Sequence, residues 1–121
     1  SIELIRQIAL YGKGRCEVVI VEGILNSLTY GEMLKDVIQA FGNQAAVYYF
    51  DLPFEETVKR HETRAKRNRF GEDALKLWWN PKDFLQVKGE KAITELMTEE
   101  QIVQMVIQDV EQLKKEIEAT Y

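Results

Sequence analysis

The sequence is poor in the residues that build disulfides and metal sites. Its 121 residues include one cysteine, Cys16, and one histidine, His61. A single cysteine excludes an intramolecular disulfide, and Cys16 is most simply a small residue at the start of a strand. One Cys and one His cannot hold a metal unless carboxylates supply the other ligands. Any metal chemistry here must therefore rest on Asp and Glu.

Long apolar runs are also missing. No apolar stretch approaches 18 residues, and no charged leader followed by an apolar run opens the chain. We therefore expect no membrane association and a cytoplasmic location. The chain starts at Ser1 rather than Met and enters a helical pattern directly, so we expect the native protein to begin upstream.

The composition is that of an ordinary globular domain. Apolar residues make up 45% and charged residues 30% of the chain, which argues against wholesale disorder. A chain of this size buries roughly two-thirds of the surface that its unfolded form exposes, enough for one core. The net charge of −4 argues against a general nucleic-acid binder. We predict one domain over residues 1–121.

Three short segments predict β-strands. Residues 17–21 (Glu-Val-Val-Ile-Val) form a continuous, β-branched run without alternation, residues 45–50 (Ala-Ala-Val-Tyr-Tyr-Phe) form a second candidate for a buried strand, and residues 91–94 (Lys-Ala-Ile-Thr) a brief third strand. Continuous β-branched runs are typical of strands buried on both faces, as in a parallel sheet. Tyr48 and Tyr49 are accordingly expected in the core.

Amphipathic segments between these runs predict helices. The first carries a stripe from Ile2 to Ala9 and ends near Gly12 and Gly14; the second begins at Ser27 or Thr29. Further helices are expected after Pro53, around residues 74–79 and after Thr98. Capping boxes are predicted for Thr29 with Glu32 and for Thr98 with Gln101. Alternating strands and helices predict an α/β fold with a parallel sheet.

Glu22 is the first candidate site residue. It follows the run at residues 17–21, and ligands of open α/β sheets bind at the carboxyl ends of the strands. A carboxylate there can hold Mg²⁺ or orient an attacking hydroxyl. The alternative is that Glu22 simply ends a strand and faces water.

A basic cluster is the second candidate. Six of the sixteen Lys and Arg residues fall within eleven positions, and three of the arginines share a helix face. Such a face matches phosphate oxygens in geometry and charge. The alternative is a solvated surface partly neutralised by nearby glutamates. The six are Lys59, Arg60, Arg64, Lys66, Arg67 and Arg69.

The adjacent Trp78 and Trp79, followed by Phe84, form the third candidate. Two adjacent tryptophans on a helix cannot both enter one core, so one could line a substrate or nucleobase pocket. A large aromatic filling a lid or an interface is the simpler interpretation. His61 is most simply a polar neighbour of the arginines.

In order along the chain, several segments resemble a bacterial group of small P-loop kinases. These proteins are described as uridine-kinase-like ATP-binding proteins and are related in fold to zeta-toxin, gluconate and adenylate-type kinases. The resemblance covers nearly the whole chain, although each segment alone is weak. The segments are residues 18–25 (VVIVEGIL), 30–34 (YGEML), 48–52 (YYFDL), 54–61 (FEETVKRH), 70–72 (FGE), 78–79 (WW) and 83–85 (DFL).

This resemblance implies a P-loop nucleotide-kinase fold, a five-stranded parallel sheet in the order 2-3-1-4-5. Residues 17–21, 45–50 and 91–94 would be strands 3, 4 and 5, and Glu22 would take the Walker-B acidic position. Residues 59–84 would form a lid-like segment. Its arginines would clamp ATP and the transferring phosphoryl group, with Arg60 and Arg64 the best matches and Arg67 and Arg69 looser ones.

The chain departs from this family at the phosphate loop. No G-x-x-x-x-G-K-[ST] motif occurs, and Gly12-Lys13-Gly14 follows a helix rather than a strand. We expect the phosphate loop, the central first strand and the acid after the second strand to lie upstream of Ser1. The chain alone would then leave a cleft in its sheet and should not phosphorylate anything.

The resemblance implies that the full-length form transfers the γ-phosphoryl group of ATP to a small-molecule hydroxyl, with Mg²⁺. The alternative hypothesis is a catalytically inactive ATP-binding or regulatory module. A nucleic-acid contact through residues 59–69 is the weakest hypothesis, because the chain is acidic. The sequence leaves the phosphate acceptor and the formation of a homo-oligomer open.

Overall fold

The computed structural model describes residues 1–62 and 82–120, without the side chains of residues 61, 62 and 120. Within those ranges it contains four α-helices and two short β-strands. They are α1 (Ile2–Gly12), α2 (Ser27–Ala40), β1 (Tyr48–Phe50), α3 (Phe54–Glu62), β2 (Lys91–Ile93) and α4 (Glu99–Thr120).

The two strands confirm an α/β arrangement with a parallel sheet. β1 and β2 pair in parallel, with Tyr49 opposite Ala92. The Asp51 N–H donates to the Ile93 carbonyl at 2.8 Å, and the Lys91 N–H donates to the Val47 carbonyl at 2.9 Å. The segment that joins the two strands contains α3, as a parallel connection requires.

The predicted strand at residues 45–50 is only partly correct. β1 contains three of its residues, and Phe50 is 54% exposed rather than buried. β1 has one neighbour, β2, in the part of the sheet that the structure describes. A strand covered along one edge only leaves its other edge and part of its side chains in solvent.

α1 and α2 pack against each other as a helical pair. Ala9 and Gly12 of α1 and Gly31 and Met33 of α2 are buried. Arg6 of α1 also donates to Asp36 of α2 at 3.2 Å. The predicted first helix is confirmed, because α1 spans the predicted stripe and ends at Gly12. The stripe is covered only in part: Ala9 is buried, whereas Leu4 and Ile8 are more than half exposed.

The second helix begins earlier than its capping box predicts. Asn26 is the N-cap, and its side chain accepts from the Thr29 N–H at 2.8 Å. Thr29 therefore lies in the first turn, so the predicted Thr29–Glu32 capping box is wrong. Asn is an equally good N-cap residue, and its position before Ser27 sets the start of the helix.

The remaining helix starts follow their local signals. α3 starts directly after Pro53, whose carbonyl accepts from the Thr57 N–H at 3.1 Å. Before α4, Gln101 N–H donates to Thr98 Oγ1 at 3.1 Å, and Thr98 N–H donates to Gln101 Oε1 at 2.9 Å. This confirms the second capping box. The predicted helix around residues 74–79, with Trp78 and Trp79, lies outside the described residues.

The prediction of a buried strand at residues 17–21 is wrong. The segment forms no strand or helix, and Ile20 is 80% exposed. Among the residues that the structure describes, no strand lies beside it to complete its backbone hydrogen bonds. It is held by side chains instead: Glu17 pairs with Lys114 of α4 at 2.8 Å. An ideal Cβ on Gly12 would lie 2.7 Å from Val19, so Val19 packs against that glycine.

Few apolar side chains are fully covered in the described ranges. Ala9, Met33 and Ile93 are buried, whereas Ile8, Leu28 and many other large apolar side chains are exposed. The two halves, α1–α2 and β1–β2, each pack internally. Within the described ranges, no helix combines the length and the apolar character needed to cross a membrane.

Candidate functional site

Charged side chains of both signs meet where β1 ends. Asp51 follows the last residue of β1, and Lys82 Nζ lies 3.0 Å from its Oδ2. The Asp51 side chain is 24% exposed and that of Lys82 is 73% exposed. The carboxyl end of a parallel strand is the usual ligand-binding edge of an α/β sheet. The pair therefore lies where a polar ligand is expected.

Asp83 ties this strand end to α2. Its Oδ2 accepts from the Ser27 N–H at 2.8 Å, and its Oδ1 accepts from the Ser27 hydroxyl. Its own N–H donates to the Tyr49 hydroxyl at 2.9 Å. Ser27, Tyr49, Asp51, Lys82 and Asp83 are called the strand-end cluster below.

Local chemistry explains why the segment after residue 81 lies against α2. The first N–H groups of a helix lack intrahelical partners and favour negative charge, and Asp83 supplies it to Ser27. The Phe84 ring packs against the Tyr49 ring, with the centroids 4.6 Å apart and the planes tilted by 45°. An ideal Cβ on Gly31 would lie 3.8 Å from Leu85, so the small residue allows close approach.

Lys82 adopts an uncommon backbone conformation within this cluster. Its φ is 50°, in the left-handed region, which costs a non-glycine residue on the order of 1–3 kcal/mol. An exposed ion pair contributes about 0–1 kcal/mol, so the bond to Asp51 does not offset that cost. The three hydrogen bonds of Asp83 contribute about 1 kcal/mol each and together offset the cost of the Lys82 conformation. Asp83 therefore holds the conformation that places Lys82 beside Asp51.

Glu22 is exposed, in the irregular segment that precedes α2. The strand expected to present it does not form, so the sheet does not fix its position. Mg²⁺ usually takes one or two carboxylates, with water and phosphate oxygens completing its octahedron. A single accessible carboxylate such as Glu22 fits that donor set. Over residues 1–62 and 82–120, no group of three or more His, Cys, Asp or Glu side chains could hold a metal by itself.

Arg60 is the described member of the predicted arginine face. Its Nε lies 3.1 Å from Glu56 Oε1, one turn earlier on α3, and both side chains are about two-thirds covered. Glu56 thus orients the guanidinium of Arg60, which lies in the last turn of α3, the helix that follows β1. Arg64, Arg67 and Arg69 lie outside the described residues, so their place on a shared face stays a prediction.

A second polar network lies near the other end of β1. The Tyr48 hydroxyl donates to Asp109 of α4 at 2.6 Å, and Lys91 Nζ donates to both oxygens of the same carboxylate at 2.9 and 3.0 Å. Burial and the Asp109 carboxylate raise the pKa of Tyr48. The Tyr48 and Lys91 hydrogen bonds lower the pKa of Asp109. A cavity of about 180 Å³ adjoins the network.

This second network fastens α4 to the sheet. Asp109 bridges a residue of β1 and the first residue of β2, so one carboxylate joins three elements. Small side chains, among them Ala45 and Ala46, line the adjoining cavity. The hydrogen-bond donors around Asp109 are already directed at it, so the network is structural.

The sequence indicated some of these residues and missed others. Tyr48 and Tyr49 were expected in the core, but both are half-buried and use their hydroxyls. Lys82 carried no signal in the sequence. Asp83 belonged to the segment 83–85 (DFL) of the kinase resemblance, but its contact with Ser27, 56 positions away, had no local signal.

The chain has no match among protein-family models, curated proteins or solved structures. The resemblance to small P-loop kinases therefore stays a prediction from the motifs of the sequence.

Proposed function

We propose that the full-length form of this protein is a cytoplasmic, ATP-dependent phosphotransferase that moves the γ-phosphoryl group to a small-molecule hydroxyl. A P-loop kinase fold is part of this proposal. One observation carries it: acidic and basic side chains gather where a parallel strand ends, next to a helix that presents an oriented arginine. Phosphoryl transfer needs this combination of positive charge and carboxylate.

Each candidate residue has a role in this proposal. Arg60, preset by Glu56, binds phosphate oxygens and stabilises the charge that develops in the transition state. Arg64 shares that role, and Arg67 and Arg69 contact the nucleotide more loosely. Glu22 is the carboxylate for Mg²⁺, which when bound with ATP screens the charge of the phosphates.

The alternative function is a catalytically inactive ATP-binding or regulatory module. Two observations favour it. Asp83 already occupies the amino end of α2, so that helix end does not receive a phosphate. Glu22, the proposed metal ligand, lies in an exposed segment that no strand fixes. In this alternative the arginines bind an anionic partner without turnover.

The test is transfer from γ-labelled ATP to a panel of nucleosides and sugars by the full-length form. We expect transfer with Mg²⁺, and we expect Arg60→Ala to lower kcat/KM by about a hundredfold, in the range seen when one preorganised charge-stabilising group is removed. Arg64→Ala should have a similar effect.

Lys59→Ala is the matched control, because it removes one exposed positive charge from the adjacent position of α3. Its kcat/KM should stay near that of the wild type. Equal losses in Lys59→Ala and Arg60→Ala would show a general charge effect and would remove the proposed role of Arg60. Saturable ATP binding with no transfer to any acceptor would favour the regulatory module.

A further inference from the structure

We propose that Lys82 is an anion-binding residue that takes a phosphoryl oxygen of the ligand at the carboxyl end of β1. The pair formed by Lys82 and Asp51 carries this inference, together with the anchoring of Lys82 by Asp83. The choice of phosphoryl ligands rests on the proposed function.

The Lys82 ammonium is placed to receive a ligand. An ammonium group has three N–H donors, and Asp51 takes one of them at 3.0 Å. The side chain is 73% exposed, so its other donors are accessible. Lysine binds phosphate as a compact positive charge and needs no bidentate geometry, so an accessible ammonium group is sufficient here.

The backbone of Lys82 is fixed, although its side chain is exposed. Asp83, the next residue, is bound at its carboxylate by Ser27 and at its N–H by Tyr49. The next residue, Phe84, packs its ring against that of Tyr49. These contacts hold the backbone of Lys82 in its left-handed conformation, so that its side chain lies beside Asp51 at the carboxyl end of β1. An exposed lysine on an unanchored loop would have no fixed position.

The negative charge of Asp51 limits how strongly Lys82 binds an anion. In the free protein its carboxylate holds Lys82, and the two groups partly neutralise each other. An incoming phosphoryl group competes with Asp51 for the ammonium. Removing the Asp51 charge should therefore strengthen the binding of a metal-free polyphosphate, whereas removing the Lys82 charge should weaken it. A purely structural ion pair predicts neither change.

The experiment is calorimetric titration of the full-length protein with metal-free tripolyphosphate as the probe. We expect Lys82→Ala to weaken binding by about tenfold, the loss of one charge-assisted contact, and Lys82→Arg to retain most of the affinity. Asp51→Asn should bind the probe more tightly than the wild type. Lys88→Ala is the matched control, an exposed lysine in the same connection, and should bind like the wild type.

Two further titrations identify the source of the phosphoryl group. If Lys82→Ala loses affinity for Mg·ATP alone, Lys82 binds the nucleotide. If it loses affinity only for phosphorylated nucleosides and sugars, Lys82 binds the phosphorylated acceptor. Circular dichroism verifies that each variant is folded. Equal affinities of Lys82→Ala and Lys88→Ala for every probe, with no change in Asp51→Asn, would overturn the inference.

The outcome is separable from that of the proposed function. Arg60-dependent transfer with no effect of Lys82→Ala would leave the kinase proposal in place and remove this inference. Tripolyphosphate binding that depends on Lys82, without any transfer, would support this inference and contradict the kinase proposal.

Discussion

At the scale of single residues, the Tyr48 hydroxyl has a defined chemical environment. It donates to Asp109 at 2.6 Å, and burial together with that carboxylate raises its pKa. A raised pKa in the folded state means that the protonated phenol stabilises the fold. That contribution is complete below the unfolded tyrosine pKa of about 10 and is lost as the pH rises through the higher folded value.

The first prediction concerns this phenol. Alkaline titration followed at the phenolate absorbance should show a late phase in the folded wild type, above the range of ordinary tyrosines. Tyr48→Phe should lack that phase and should lose about 1 kcal/mol of unfolding free energy at neutral pH, the value of one hydrogen bond to a charged group discounted for its partial exposure. A late phase that persists in Tyr48→Phe would assign it to another tyrosine.

At the scale of elements, the close contact between α1 and the segment that follows it is testable. Gly12 is buried, and an ideal Cβ there would lie 2.7 Å from Val19 Cγ2. An added methyl group gains helix propensity of about 1 kcal/mol but must displace Val19, and overpacking costs about 1–3 kcal/mol. The contact with Val19 therefore decides whether Gly12→Ala raises or lowers the free energy of unfolding.

We predict that Gly12→Ala lowers the unfolding free energy by about 1 kcal/mol and that Val19→Ala relieves the clash. In the double variant the two losses should not add, with a coupling of at least about 0.5 kcal/mol in urea unfolding. Ile20→Ala, at a largely exposed neighbouring position, is the control and should add to Gly12→Ala without coupling. Additive losses in Gly12→Ala with Val19→Ala would contradict the contact.

Local signals in the sequence predicted where helices start, whereas non-local contacts decided which segments form strands. Pro53 and the Thr98–Gln101 pair set helix starts through neighbours within four positions, so the sequence was sufficient. Residues 17–21 have the composition of a strand, but a strand forms only when another one pairs with it. The composition of a segment cannot supply that partner.

At the scale of the whole molecule, Asp83 is a direct connection between the α1–α2 pair and the two strands. α1 packs on α2, and β1 pairs with β2. Asp83 bonds Ser27 of α2 and Tyr49 of β1 at the same time. The parallel order of the sheet was predictable from the apolar runs, but this connection was not, since nothing near residue 83 in the sequence indicates Ser27.

We predict that Asp83→Ala lowers the unfolding free energy by about 2 kcal/mol, because it leaves the Ser27 N–H and hydroxyl without their acceptor. It should also weaken the contact between α2 and β1. Amide exchange should therefore accelerate at the start of α2 and in β1 together. Glu95→Ala, which removes one exposed carboxylate, should change neither. Faster exchange confined to α2 would show that Asp83 only caps that helix.

We propose that the carboxyl end of β1 belongs to an ATP-dependent phosphotransferase, and one measurement tests this proposal most directly. It is calorimetric titration of the full-length protein with Mg·ATP, beside Arg60→Ala and its control Lys59→Ala. We predict saturable binding that is weakened about tenfold or more by Arg60→Ala and is unchanged by Lys59→Ala. The absence of Mg·ATP binding by the folded wild type would contradict the account.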